Sequence, residues 1–513
     1  MPNNLSLISG YAARTPAERK PRLDLILDQK NIIPALFECL KDEASEKELK
    51  RSALAVLCDA ANKEKFKNKI FDILSPAVSE NLLSSDDPKL RKSAAKLLGE
   101  ANNKRYAGVL IRAIEKENTE FVLESLILAL GYTDYAKEAY EFLSAYQPKS
   151  AEEKHLVKEV AAQKKALSSL RKAEPILDVA LKGNTVLLTY PAETPEALKN
   201  ELTESGMSFA VSTKISDALE IHTENYSDVF AFRCFFEALI DLGSYQRDAL
   251  HSYIADVFSR IREVFGPKAT QFRFDLRYLN PAEKTETMNA LVAASEKTAL
   301  SSSPSNYQFE LRLIFQKSTV LAFACVPSLD TRFAYRKKTL PASINPVIAA
   351  NMMRAILPYL TEDATVLDPF CGTGTLLYER DAIMPCEELV GVDIKKDAVY
   401  MAKTNFLNED IPIAFLVSDI LEAELNQEFD EVISNMPFGR RVSDTKENEK
   451  LYAGFIQQLK TLLKIGGYAF LYTNQKVFLK NLIKGDMKFE LVDEILFEAG
   501  GLYPTLFIIK RIR

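Results

Sequence analysis

The stretch Thr365–Glu379, TVLDPFCGTGTLLYE, constrains this chain more than any other. Val366 and Leu367 read as the end of a buried strand, closed by Asp368 and Pro369, and Thr375–Arg380 reads as the start of a helix. Between them Gly372 and Gly374 permit a tight turn and leave a ligand room against the backbone. A strand, a glycine loop and a helix in that order can cradle a nucleotide-like ligand at the helix N-terminus. The loop lacks the Gly-Lys-Ser/Thr ending of a phosphate-binding P-loop, which disfavours ATP or GTP. Asp368 at the strand end would repel phosphate but suits a cationic amino group.

Three further strand ends repeat the theme. Leu389–Ile394 is an apolar strand ending around Asp393, which lies 19 positions after Gly374. An acid at roughly 20 residues from such a loop is placed to hold ribose hydroxyls. Ile413–Val417 ends at Ser418-Asp419, where a carboxylate can accept a hydrogen bond from an exocyclic adenine amine. Glu431–Ser434 runs into Asn435-Met436-Pro437-Phe438-Gly439. Any single acid could sit in a solvent-facing loop of an ordinary α/β domain. As an ordered set, these residues occupy the crevice at the carboxyl ends of an open sheet, where such folds bind ligands.

The set resembles the S-adenosylmethionine-dependent methyltransferases that act on amino nitrogens, over about Lys337–Arg513. DPFCGTGT is similar to their first motif and NMPFG to their Asn/Asp-Pro-Pro-Tyr/Phe motif. More narrowly it resembles the THUMP-type RNA guanine-N2 methyltransferases, in which the first Pro of that motif is often replaced, as it is here by Met436. The resemblance implies S-adenosylmethionine as cofactor, with Asp368 at its amino group, Gly372 and Gly374 allowing close approach, Asp393 on the ribose and Asp419 on the adenine. Phe370 and Asn435 complete the cofactor set. Asn435, Pro437 and Phe438 are the expected catalytic residues. The side-chain oxygen of Asn435 and the carbonyl of Met436 or Pro437 would accept the target amine's N–H bonds, Pro437 would fix the turn, and Phe438 would stack on a flipped base. Cys371 reads as a packing residue, because no basic neighbour favours its thiolate.

Composition narrows the rest. A chain of 513 residues holds about three domains, and its 47% hydrophobic and 27% charged residues suit a globular protein. No apolar run approaches the roughly 20 residues of a membrane span, and the N-terminus lacks a signal-peptide plan. Six cysteines without a Cys-x-x-Cys pair, and three histidines, encode neither a zinc site nor a disulfide framework, so the expectation is no metal and a cytoplasmic location. The net charge of −6 argues mildly against nucleic acid. It is uneven, however: residues 1–180 sum to +2, 181–340 to −1 and 341–513 to −7. Arg332, Arg336, Lys337 and Lys338 precede the glycine loop and Arg440-Arg441 follow the NMPFG turn. Their placement beside the chemistry favours RNA phosphate contact.

Residues 1–182 read as helical. Ala53, Val56 and Leu57 recur as Ala94, Leu97 and Leu98, then as Leu126, Ala129 and Leu130, offsets of 41 and 32 residues. Asp86–Glu100 resembles one unit of a HEAT repeat, with Pro88 in the first turn and Asp86 or Asp87 as cap. An irregular bundle is the alternative. Such repeats usually bind partners, here a possible protein. Residues 183–336 mix both kinds of element: strands Val186–Tyr190, Met207–Thr213, Ala218–Thr223, Phe230–Phe235 and Gln271–Tyr278, helices Thr194–Glu204, Arg247–Val264 and Pro281–Lys297, and a hairpin Tyr307–Phe315 with Thr319–Cys325. That order is similar to a ferredoxin-like segment plus a THUMP domain, an α+β fold that binds structured RNA. Asn345 can cap a helix from Pro346 that, in the family, packs over the methionine end of the cofactor.

The expected whole is multidomain: a helical repeat (1–182), an α+β THUMP-like domain (183–336) and a Rossmann-like α/β methyltransferase (337–513). The expected activity is N2-methylguanosine formation in tRNA or rRNA. A protein-glutamine N5 methyltransferase is disfavoured by Met436 and by the α+β insertion, and a scaffold with an inactive domain by the intact acids.

Overall fold

Stacked helix pairs make up the first part of the chain. A computed structural model describes residues 3–170, 174–295, 298, 300–304, 306–438, 442–498 and 500–513. They divide into two units, 1–174 with 303–306 and the remainder. The first carries α1 (Pro16–Leu27), α2 (Ile32–Lys41), α3 (Lys47–Ala61), α4 (Glu64–Ile73), α5 (Pro76–Leu83), α6 (Pro88–Ala101), α7 (Ala107–Lys116), α8 (Glu120–Gly131), α9 (Lys137–Ala145) and α10 (Glu153–Leu170). Helices α3, α6, α8 and α10 stack in succession, each backed by the helix before it or nearby in sequence. The recurrent apolar residues of α3, α6 and α8 are all buried in that stack.

One polar device repeats along the stack. Arg51 in the second turn of α3 reaches Asp87 at 2.9 Å, and Asp87 caps α6 by accepting the Lys89 amide at 3.0 Å. Arg91 in the first turn of α6 binds Glu117 at 2.7 Å and Thr119, the residue before α8, at 3.1 Å. Each arginine satisfies an acid or hydroxyl at the start of the next helix, where the backbone also needs acceptors.

The second unit begins with an eight-stranded sheet built from β1 (Val186–Thr189), β2 (Phe209–Val211), β3 (Ala218–Ile221), β4 (Glu237–Gln246), β5 (Gln271–Arg277), β6 (Ser301–Ser302), β7 (Phe309–Phe315) and β8 (Thr319–Cys325). Their order is β2-β3-β1-β4-β8-β7-β5-β6. Helices α11 (Pro195–Glu204), α12 (Leu250–Phe265) and α13 (Pro281–Ser295) share its main core, where Leu198, Val257 and Leu291 meet Val186, Ile240 and Phe309. The expected strand Phe230–Phe235 is absent. Asn225 and Asp228 cap each other's backbone and wind Tyr226–Ala231 into a 3-10 turn. The strand is β4 instead, and its alternation is broken by a register shift at Asp241–Gly243, with Gly243 at φ 117°.

The last part alternates strand and helix: α14 (Pro346–Ile356), β9 (Thr365–Asp368), α15 (Thr375–Ile383), β10 (Glu388–Asp393), α16 (Lys396–Phe406), β11 (Ile413–Val417), β12 (Phe429–Asn435), α17 (Val442–Leu462), β13 (Leu463–Thr473), α18 (Lys476–Lys484), β14 (Phe489–Leu496) and β15 (Thr505–Arg511). The sheet order is β11-β10-β9-β12-β13-β15-β14, with β15 antiparallel to both neighbours. One face packs on α14 and α15 through Met352, Leu376 and Phe470, the other on α17 and α18 through Phe455, Leu479 and Leu471. This is the doubly covered, Rossmann-like plan of a mixed α/β sheet. No helix among the described residues is long and apolar enough to cross a membrane.

A buried network joins the two sheets of the second unit. Glu379 of α15 receives Arg233 through two bonds of 2.8 and 2.9 Å and the Tyr335 hydroxyl at 2.7 Å. Tyr335 stacks on Tyr378 with ring centroids 3.5 Å apart. Arg332 belongs to this core and not to a basic surface. Its side chain is 1% exposed, pairs with Asp330 at 2.7 Å, donates to the Phe235 carbonyl at 2.7 Å and lies over the Phe235 ring. The expectation that it contacts phosphate is therefore corrected.

Candidate active site

The glycine loop is held open by its neighbours. Gly372 and Gly374 take φ of 53° and 81°, the left-handed region that favours glycine. A Cβ on Gly372 would point into open space, whereas one on Gly374 would meet the Phe406 ring at 2.7 Å. Buried Asn405 ties the loop down by donating to the Thr373 carbonyl at 3.1 Å and to the Lys338 carbonyl at 2.9 Å, while accepting the Lys338 amide at 2.8 Å. Helix α15 is fixed beneath the loop by Arg380, which pairs with Glu431 of β12 at 2.6 Å with both side chains fully buried.

The strand-end acids gather around this loop. Asp393 accepts the Gly372 amide at 2.9 Å through Oδ2 and the Lys395 amide at 2.8 Å through Oδ1, so the second acid shapes the first motif. Asp419 accepts the Leu421 amide at 3.0 Å and remains half-exposed. Asp368 is 2% exposed. Its Oδ1 takes the Ser434 hydroxyl at 2.7 Å and the Phe370 amide at 3.1 Å, which leaves Oδ2 unbonded among the described residues. Burial lifts this carboxyl to about 7 against those two bonds. The Phe370 ring lies edge-on to Phe455, 5.4 Å away. Cys371 is buried and its thiol is pushed well up by burial, which suits packing and not nucleophilic attack.

The Asn435–Phe438 turn leaves β12 beside β13. Its Met436 amide donates to the Tyr472 carbonyl at 2.9 Å. Of the two carbonyls expected to receive the target amine, Pro437 is already engaged: it accepts Tyr452 Oη at 2.8 Å and Asn448 Nδ2 at 2.9 Å, both from α17. Two bonds fill its lone pairs, so the Met436 carbonyl is the remaining acceptor. Asn435 Oδ1 is buried without a partner among the described residues. Phe438 is half-buried at the rim, its ring centroid 6.0 Å from that of Tyr472, and Gln475 holds its carbonyl at 3.0 Å.

Of the expected phosphate contacts, Lys337 and Lys338 are exposed, with Lys338 anchored by its backbone to Asn405. Arg336 is half-buried and donates to the Ile344 carbonyl at 3.1 Å, so it braces the segment leading to α14. Arg440 and Arg441 lie outside the described residues. Asn345 caps α14 by accepting the Val347 amide at 2.9 Å. In the first unit Glu120, Glu152 and His155 converge, but Glu120 already accepts the Ala151 amide and Glu152 pairs with Lys154, each at 2.8 Å.

Four residues escaped the sequence reading. Ile394 follows Asp393 and is 64% exposed, an apolar face at the crevice. A bulky aliphatic residue beyond the end of a core strand was its signal. Thr375 Oγ1 opens α15 buried and without a partner among the described residues. Tyr452 and Tyr472 sit within an amphipathic helix and an apolar strand, where nothing marked them from core residues.

Residues 334–503 match the family model described as RMKL-like, methyltransferase domain. The tRNA (guanine(6)-N(2))-methyltransferase THUMP3 of Bos taurus is 27% identical over 188 residues, 33% of this chain and 37% of that protein. The U6 snRNA (guanine-N(2))-methyltransferase THUMPD2 of Homo sapiens is 26% identical over 161 residues, 31% of each chain. The tRNA (guanine(6)-N2)-methyltransferase of Methanocaldococcus jannaschii is 24% identical over 222 residues, 35% of this chain and 57% of that one. The chain thus spans less than two thirds of the length of each of these curated relatives. Among solved structures, TrmN from Thermus thermophilus superposes with a TM-score of 0.52 at 20% identity, covering 64% of this chain and 100% of that one, a likeness of fold.

Proposed function

We propose that this chain, whose residues 334–503 form a methyltransferase domain of the RMKL-like family, transfers a methyl group from S-adenosylmethionine to the exocyclic N2 of guanine in a structured RNA. The observation that carries the reading is the acceptor pair at the Asn435–Phe438 turn. Among the described residues Asn435 Oδ1 is buried without a partner and the Met436 carbonyl accepts no hydrogen bond, whereas the Pro437 carbonyl is occupied. An amino nitrogen with two N–H bonds is the group such a pair holds.

The crevice residues fit the cofactor. Unbonded Asp368 Oδ2 suits an ammonium group, Asp393 and Asp419 lie at the ends of the next two strands for ribose and adenine, and Ile394 offers the base an apolar face. Thr375 Oγ1 has no partner among the described residues and lies at the N-terminus of α15, where a carboxylate is favoured. When bound, S-adenosylmethionine supplies a methyl group activated on a sulfonium.

The guanine amine is a weak nucleophile because its lone pair is delocalised into the ring. Accepting both of its N–H bonds at Asn435 and Met436 turns that lone pair toward the crevice and draws charge onto the nitrogen. Positioning is the main contribution, and no histidine or other strong base is placed at the turn among the described residues. The proton that the methylated nitrogen must lose, held at Asn435 Oδ1 or the Met436 carbonyl, is therefore released to water. Phe438 presents a face for stacking, worth about 1–3 kcal/mol per base.

Structured RNA is the substrate class, with tRNA foremost because tRNA and U6 snRNA stand in the relatives' names. We read the sheet of β1–β8 as a ferredoxin-like segment followed by a THUMP-like domain that grips the RNA, supported by its mixed order and the β7–β8 hairpin. The first unit reads as a HEAT-like repeat that binds a protein partner, supported by the stacked pairs and the recurring Arg51 and Arg91 pairings. Incubating the purified chain with tritiated S-adenosylmethionine and unmodified tRNA tests the activity. Mass spectrometry of the digested nucleosides should give N2-methylguanosine. Label on peptide glutamine and none on RNA would overturn it.

A further inference from the structure

We propose that the hydroxyl of Tyr472 reads the target base, donating a hydrogen bond to O6 of the guanine whose N2 is held by Asn435; this rests on the function proposed above. Tyr472 is the register partner of Asn435 on the adjacent parallel strand, so the two side chains leave the same face of the sheet at its carboxyl end. Ile433, Phe470 and Tyr472 share the core on that face with the half-buried ring of Phe438. Two side chains there are orphaned together: Asn435 Oδ1 and Tyr472 Oη are both buried without a partner among the described residues. Tyr472 as a whole is 2% exposed.

A buried polar atom with no partner is costly, and a phenylalanine would avoid the cost at this position. Two orphans side by side at the strand ends, next to an aromatic ring at the rim, describe the edge of something that both atoms bind. The phenol is a donor: burial, with Glu498 and Glu193 nearby, holds its proton far above neutrality. Its side chain is also longer than that of Asn435. Guanine presents along one edge the N2 amine, the N1–H and then the O6 acceptor. Asn435 takes the amine at one end and Tyr472 meets the acceptor at the other. Adenine carries an amine where guanine carries O6, so the same hydroxyl discriminates between the purines. Arrival of the base displaces the Phe438 ring, whose centroid lies 6.0 Å from that of Tyr472.

The test compares wild type with Tyr472→Phe on the unmodified tRNA transcript that the wild type methylates, and on the same transcript carrying 2-aminopurine at the methylated position. That analogue keeps the amine and lacks O6 and the N1 proton. The variant should lose roughly ten- to hundredfold in kcat/KM on guanine. Its affinity for S-adenosylmethionine should be unchanged and its melting temperature unchanged or raised, because the deleted hydroxyl has no partner to lose. On 2-aminopurine the two proteins should be equally slow. Wild-type turnover of guanine by the variant, or an equal loss on the analogue, would overturn the assignment alone. A wild-type protein that methylates no tRNA guanine would overturn the proposed function and this inference with it.

Discussion

The hydroxyl of Tyr452 donates to the carbonyl of Pro437 at 2.8 Å, and this bond determines which acceptors of the catalytic turn face a target. Tyr452 is anchored in turn by Thr473 at 2.7 Å, so helix α17 and strand β13 hold the turn from two sides. Tyr452→Phe removes that grip and releases a carbonyl to compete for the amine. We expect a stability loss of about 0.5–1.5 kcal/mol, as for one hydrogen bond. Turnover should fall roughly tenfold while cofactor affinity holds, since misplacement of a reacting group costs rate before binding. Thermal melts and steady-state kinetics on the same preparation check both parts.

Asp368 makes cofactor binding depend on pH. Its carboxyl sits at about 7 instead of the ordinary 3.8, so below neutrality it is protonated and cannot pair with an ammonium. Affinity for S-adenosylmethionine should weaken about tenfold per unit as pH falls below 7. Asp368→Asn should bind weakly with no such slope. The sign for stability is opposite. The folded chain holds this proton more tightly than the unfolded one between about 4 and 7, so stability from this group is full at the acid end and is lost as pH rises through 7. Calorimetric titrations and urea melts from pH 5.5 to 8.5 separate the two effects.

The Arg233–Glu379 pair couples the two sheets of the second unit. Glu379 is 1% exposed at its side chain, so Arg233→Ala strands a buried charge whose remaining partner among the described residues is the Tyr335 hydroxyl. Breaking such a pair costs about 3–5 kcal/mol, whereas replacing both members by apolar residues recovers much of it. Arg233→Met with Glu379→Leu should therefore melt above Arg233→Ala. Equal midpoints for wild type and Arg233→Ala in guanidinium would show that the pair carries no stability.

Much of this was legible because the informative residues lie at strand ends, where composition is not dictated by packing. The glycine loop, the acids at 393 and 419 and the Asn435 turn each announce a chain that must leave a sheet and stay open to a ligand. The strand β4 was hidden because a register shift at Gly243 breaks its alternation, and Phe230–Phe235 mimicked a strand while Asn225 and Asp228 wound the chain before it into a 3-10 turn. Arg332 looked like surface because charge does not reveal burial; its partners, Asp330 and the Phe235 carbonyl, come together only in the fold. Tyr452 and Tyr472 were invisible for the converse reason. An aromatic residue in an apolar stripe reads as core, and only a register and a hydrogen bond show its hydroxyl at the turn.

The most direct test of the account is methyl transfer to tRNA by Asn435→Ala, with cofactor affinity measured alongside. Deleting Oδ1 removes one of the two acceptors for the amine and touches neither Asp368 nor Asp393. The predicted result is a loss of N2-methylguanosine of at least a hundredfold, with a far smaller loss, about tenfold at most, in S-adenosylmethionine affinity, since Asn435 also belongs to the expected cofactor set while Asp368 and Asp393 stay in place. Formation of N2-methylguanosine at the wild-type rate by Asn435→Ala would contradict the account.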